Sequence, residues 1–83
     1  MNLLDTNNIT AEEIRRLRKK TNMTQKSLAE LLGISLSYWQ RKELERSSPN
    51  YRPISAAELW ILLLLAGEHP DFMLEKRNKD VAS

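Results

Sequence analysis

The chain has 83 residues, no cysteine and a formal net charge of +2. That length holds one domain with a small core, and the missing cysteines exclude disulfides and thiolate metal sites. The longest apolar run, Leu59 to Ala66, is far too short to span a membrane.

No basic segment followed by an apolar stretch opens the chain, so a cytoplasmic protein is expected. Without a covalent staple, association with a second copy becomes a natural source of buried surface. The charge is unevenly spread. Residues 1–14 carry three acids and no base, and residues 53–83 carry five acids and three bases. Residues 15–52 carry ten Lys/Arg against three Glu, a local excess of +7. A basic segment of this kind suits a phosphate-binding surface, although, before any motif is considered, a solvated basic face is the simpler explanation.

Residues 1–8 have no periodicity and are expected to form an N-terminal arm. Thr10-Ala-Glu-Glu13 has the form of a capping box, with Ile9 and Ile14 as its hydrophobic staple. A first helix is predicted over about 11–21, with Ile14 and Leu17 facing inward. Its early acids and late Arg/Lys residues match the helix dipole, so the basic run has a local explanation. Asn22 suits the turn that follows. Thr24 caps a second helix, 25–32, whose apolar positions are Leu28, Ala29, Leu31 and Leu32. Gly33 can close that helix in the left-handed conformation. Ser35 then starts a third helix, predicted over 36–45, with Trp39 inward and Leu44 beside it. Lys42 falls on the inner side, where an ammonium is costly to bury without a partner. Its stem is therefore expected along the core with the charge outside, or on a face that is less buried.

Ser, Asn and two prolines mark residues 46–53 as a loop. Ser55-Ala-Ala-Glu58 is a second capping box, with Ile54 and Leu59 as staple, and predicts a fourth helix over 56–66. That helix is apolar on nearly every side. Leu59, Leu62, Leu63 and Ala66 form the expected core face. Trp60, Ile61, Leu64 and Leu65 lie opposite and need another cover, either a second subunit or residues 70–77 folded back. The segment from Pro70 to Arg77 is a candidate fifth helix, and residues 78–83 read as a disordered tail. The domain proper is placed at 9–77, with its last long helix as the dimerising element.

Two short helices around a tight glycine turn predict helix-turn-helix geometry. Thr24-Gln25, Leu28-Ala29, Gly33-Ile34-Ser35, Trp39 and Glu43 resemble, at these spacings, the Cro/C1-type (XRE) DNA-binding family over roughly residues 10–66. The resemblance implies an all-α domain, a four- to five-helix bundle of the lambda-repressor-like type. The spacing from Gly33 to Tyr51-Arg52-Pro53 further resembles small phage regulators of the anti-CRISPR-associated type, and the Trp-Gln-Arg of the third helix and residues 64–70 resemble related phage-borne regulators. Carried over by position, the family assigns base contacts to Leu36, Ser37, Gln40 and Arg41. Phosphate contacts fall to Gln25 and Lys26 at the start of the second helix, where its N–H groups favour an anion. Tyr38, Arg46 and Arg52 are further phosphate candidates, and the plain alternative for each is a solvated surface residue.

One histidine, His69, and two glycines supply no metal constellation, nucleophile–base pair or phosphate loop. No enzyme activity, cofactor or small-molecule ligand is expected. The sequence thus predicts a dimeric repressor or autorepressor that binds an inverted repeat in double-stranded DNA through the major groove. The alternative is an antitoxin-like interaction module that uses the apolar fourth helix to grip another protein. The polar outer side of the third helix favours DNA.

Overall fold

The computed structural model describes residues 6–75. The expectation of a disordered tail at 78–83 lies outside them, as does most of the N-terminal arm. Among the described residues the chain forms four helices and no strand: α1 (Ala11–Lys20), α2 (Gln25–Leu32), α3 (Leu36–Lys42) and α4 (Ala56–Ala66). Each starts on a hydroxyl cap. Thr10, Thr24, Ser35 and Ser55 accept from the backbone N–H three residues on, at 3.0–3.1 Å. At α4 the capping box is complete, because the Glu58 carboxylate accepts from the Ser55 N–H at 2.8 Å. At α1 only half of it forms, and Glu13 turns its carboxylate to Arg16 instead.

The helices stop where local chemistry requires. Gly33 (φ +74°) and Gly67 (φ +75°) adopt the left-handed conformation, and the N–H groups of Ile34 and Glu68 reach back to Ala29 and Leu63. Asn22 is left-handed as well, at φ 63°, a conformation its short polar side chain tolerates. α3 ends at Lys42, three residues before the predicted boundary. The Arg41 carbonyl is claimed by the Arg52 N–H, and the Glu43 carbonyl by the Arg15 guanidinium. The chain therefore leaves the helix by i→i+3 turns at Glu43 and Leu44.

The core joins Ile14 and Leu17 of α1, Leu28 and Ala29 of α2, Trp39 of α3, and Leu59, Leu62, Leu63 and Ala66 of α4, closed by Ile54. α2 packs on α3, and α1 packs on α4. The expected core face of α4 is the buried one. Opposite it, Trp60 and Ile61 are exposed, while Leu64 and Leu65 are half-buried and Leu65 packs on the margin of the core.

No helix forms over the described part of the fifth-helix prediction, residues 70–75. The reason is His69. Its Nδ1 accepts from both the Asp71 and the Phe72 N–H, at 3.1 and 3.2 Å. The chain is thereby drawn back over α4, so that His69 and Phe72 cover part of the Trp60 ring, with centroids 4.4 and 5.5 Å away.

Lys42 also departs from expectation. Its side chain is buried, charge included. The ammonium meets the Glu58 carboxylate at 2.8 Å and the Pro53 carbonyl at 3.1 Å, and lies 4.2 Å from the centre of the Tyr38 ring. Three partners replace water, which makes burial tolerable. Glu58 keeps some exposure. Burial works against its charge, yet the bonds from Lys42 and Ser55 hold its carboxyl below the usual value. Removing the acid should therefore hurt more than removing the base. Glu58→Gln, which can still cap α4, should cost about 3 kcal/mol by stranding the ammonium. Lys42→Met should cost less, because Glu58 can turn to solvent. Urea unfolding at neutral pH measures both, and the reverse order would refute this reading of the pair.

Past α4, Glu68 is clamped to α1. Arg16 binds it bidentately at 2.8 and 2.9 Å, and Lys20 adds a bond at 2.7 Å. Hydrogen bonds from Arg16 and then Lys20 lower its carboxyl from 4.5 to about 2. The folded value is depressed, so the clamp stabilises the fold fully above the unfolded value and loses that effect as pH falls toward the folded one. The urea midpoint of wild type should exceed that of Glu68→Gln at pH 7. That gap should narrow from about pH 4.5 downward and vanish only as pH falls through about 2.

Candidate nucleic-acid interface

An α-helix turns about 100° per residue, so the seven residues of α3 sort into two sides. Trp39 and Lys42 are buried, whereas Leu36, Ser37, Tyr38, Gln40 and Arg41 are exposed. All four residues expected to face bases therefore lie on the open side of one short helix. α2 ends at Leu32 and α3 begins at Leu36, which fixes the second helix of the pair against the first.

What holds α3 in place is a carboxylate just past its end. Glu43 is buried. Its Oε2 accepts from Arg18 Nε at 2.6 Å and from the Trp39 indole N–H, and its Oε1 accepts from Arg18 Nη2 and Gln25 Nε2, both at 3.2 Å. Arg18 also donates to the Met23 carbonyl at 3.3 Å, and Arg15 donates to the Glu43 carbonyl at 2.7 Å. One acid thus ties α1, α2 and α3 together, with its acceptor capacity filled. Sequence reasoning placed Glu43 in the family pattern without giving it this role. The legible signal was Trp39 and Glu43 four apart on one helical face; the partner Arg18 is 25 residues away.

Internal pairing also consumes much of the basic excess. Arg15, Arg16, Arg18, Lys20 and Lys42 all meet acids. Arg46 donates through Nη2 to the Thr6 and Ile9 carbonyls, which ties residues 6–9 to the loop after α3. The part of the arm that is described is therefore held in place. Among the described residues, the Arg52 guanidinium donates only to its neighbour, the Tyr51 carbonyl. Among the described residues, the side chains of Lys19, Lys26 and Arg41 make no hydrogen bond or ion pair. Two of these three free cations, Lys26 and Arg41, are ones the sequence assigned to DNA. Gln25 is half-buried and engaged at both ends, donating to Glu43 and accepting from Gln40 at 3.3 Å. No group of three residues suited to a metal ion occurs among the described residues.

A family model described as Helix-turn-helix matches residues 14–71. The chain belongs to the XRE-type helix-turn-helix family. The match spans all of α2, α3 and α4 and most of α1. Searches of curated proteins and of solved structures gave no match. This helix-turn-helix family binds DNA and is not a family of enzymes, which gives the chain a DNA-binding, transcription-regulator-like role. No helix among the described residues is long and apolar enough to cross a membrane.

Proposed function

We propose that this helix-turn-helix protein is a sequence-specific repressor or autorepressor that binds an inverted-repeat operator as a dimer, with α3 in the major groove. The observation that carries the proposal is the contrast between the two sides of α3. One side is locked by Trp39 and Lys42, with Glu43 just beyond. The other presents Ser37, Gln40 and an unpaired Arg41 to solvent. Arg41 suits guanine O6 and N7, Gln40 suits adenine, and Leu36 suits a thymine methyl. Lys26 and the first N–H groups of α2 suit a phosphate. Tyr38 and Arg52 are exposed, and Arg46 keeps Nε and Nη1 available for a phosphate oxygen. Tyr51-Arg52-Pro53 supports a place among phage regulators of the anti-CRISPR-associated type, and the Trp-Gln-Arg of α3 a relation to other phage-borne regulators.

Binding to the DNA upstream of its own gene tests the reading. Affinity should fall steeply with salt, by about one log unit per log unit of salt for each neutralised phosphate. Lys26→Ala should flatten that slope by about one. Arg41→Ala should cost about 1–3 kcal/mol on the cognate site and relax preference at one or two base pairs per half-site. A flat salt dependence in wild type would end the proposal.

Dimerisation is assigned to Trp60, Ile61, Leu64 and Leu65. Trp60 and Ile61 contribute exposed apolar surface, and Phe72, Met73 and Leu74 are exposed in the segment that returns over Trp60. Burying a large side chain yields roughly 1.5–3 kcal/mol, so a few per subunit hold a symmetric pair. Such a pair would set its two α3 helices about 34 Å apart, one turn of DNA. Ile61→Asp, the least disruptive change on that face, should give a folded monomer with much weaker operator binding. Sedimentation showing wild type monomeric at tens of micromolar would overturn the dimer and favour a different protein as the partner of α4.

A further inference from the structure

Between its inward and outward sides, α3 has a flank built from Tyr38 and Lys42. The two are four residues apart and so stack one above the other, beyond Arg41 around the helix. The start of α2 lies on the opposite flank, because Gln25 reaches Gln40 and Glu43. The Lys42 ammonium has three N–H donors. Two meet the Glu58 carboxylate at 2.8 Å and the Pro53 carbonyl at 3.1 Å, and neither partner belongs to α3. The Tyr38 ring closes the remaining side, its centre 4.2 Å from Nζ.

The cation is thus fixed from α4 and the loop before it, and it holds the ring in turn. Lys42 is 1% exposed, so water does not compete for the ammonium. Tyr38 is 42% exposed, and its hydroxyl makes no hydrogen bond among the described residues. One face of the ring is pinned, while the polar tip is free. An unpinned tyrosine would lose rotamer freedom on meeting a ligand, at a cost in affinity. Here that ordering is done in advance by the fold.

We propose that Lys42 is a positioning residue for DNA binding, which sets the Tyr38 hydroxyl against a phosphate on the groove wall away from α2. A helix in the major groove turns its outward side to the bases and its flanks to the two sugar–phosphate strands. Lys26 approaches one strand, and Tyr38 meets the other. The donor there is neutral, because the charge that orients it is buried and paired with Glu58. The inference rests on α3 entering the major groove as set out above. It adds the buried residue that orders this backbone contact, and it gives the Lys42–Glu58 pair a role in binding besides its role in the fold.

The test measures affinity for the DNA upstream of the gene across a salt series, with wild type, Tyr38→Phe, Lys42→Met and the double variant. Urea unfolding of each variant fixes conditions in which it is folded. Tyr38→Phe leaves a ring on the ammonium and removes only the hydroxyl. It should weaken binding by about tenfold, the loss of one hydrogen bond to a charged group. The salt slope should stay unchanged, since a neutral donor releases no counterion. Lys42→Met keeps the length of the side chain without its charge, and should weaken binding by about fivefold through lost preordering. In the Tyr38→Phe background, Lys42→Met should weaken it no further. On the free protein, the Lys42 Hε protons should show NOEs to the Tyr38 ring and an upfield shift from its ring current.

Wild type that binds without salt dependence ends the DNA reading and this inference with it. Salt-dependent wild-type binding that Tyr38→Phe leaves unchanged overturns the inference alone. So does a loss from Lys42→Met that is equal in both backgrounds, which is the mark of a purely structural role. If Lys42→Met does not fold, the Tyr38→Phe loss and the NOEs decide, and absence of either overturns the assignment.

Discussion

A buried carboxylate without partners is among the costliest things a small domain can contain, and this fold is arranged around one that is fully partnered. Glu43 receives Arg18 from α1, Gln25 from α2 and Trp39 from α3. The helix-turn-helix pair would otherwise rest on a handful of apolar contacts. A single satisfied acid supplies directional bonds to three helices at once, and each bond to a charged group is stronger than an ordinary amide contact. Its energetic worth relative to an apolar cluster of the same size is modest. Its structural worth lies in angle and position, since hydrogen bonds restrict orientation where dispersion does not.

That matters because α3 has just seven residues. A helix so short has no stability of its own and takes its order from what it packs against. The inward side of α3 is accordingly fixed three ways: Trp39 in the core, Lys42 on Glu58 at the start of α4, and Glu43 on Arg18. The proposed recognition face is therefore carried by a helix whose other side is chemically committed to other parts of the domain. Rigid placement of this kind lets a few exposed side chains meet base edges without a large ordering cost on binding. The same connection through α4 links α3 to the surface proposed for the second subunit.

Charge serves two purposes in this chain. Half of the ten bases in residues 15–52 meet acids within the fold. A count of Lys and Arg along the sequence therefore overstates the field available to DNA. The cations without partners number three among the described residues, and Arg41 and Lys26 lie on the helix-turn-helix pair itself. A small net charge is thus compatible with DNA binding, because the free charges are placed rather than numerous.

Helix starts and stops were legible in the sequence because they depend on atoms three to five residues apart. Thr24, Ser35 and Ser55 cap and Gly33 and Gly67 terminate where the local pattern says they should, and α2 and α4 have the predicted bounds. The outward side of α3 follows from the same periodicity. What tertiary structure decided was the fate of polar groups whose partners are distant in the chain. Lys42 is buried because Glu58 and the Pro53 carbonyl reach it from beyond the loop. The fifth helix is absent over residues 70–75 because His69, held against Trp60, takes the N–H groups of Asp71 and Phe72. α3 is short because Arg52 and Arg15 claim carbonyls at its end. The physical reason is common to all three. A polar group must find a partner when it leaves water, and whether one is in reach depends on which distant segment the closed core brings beside it.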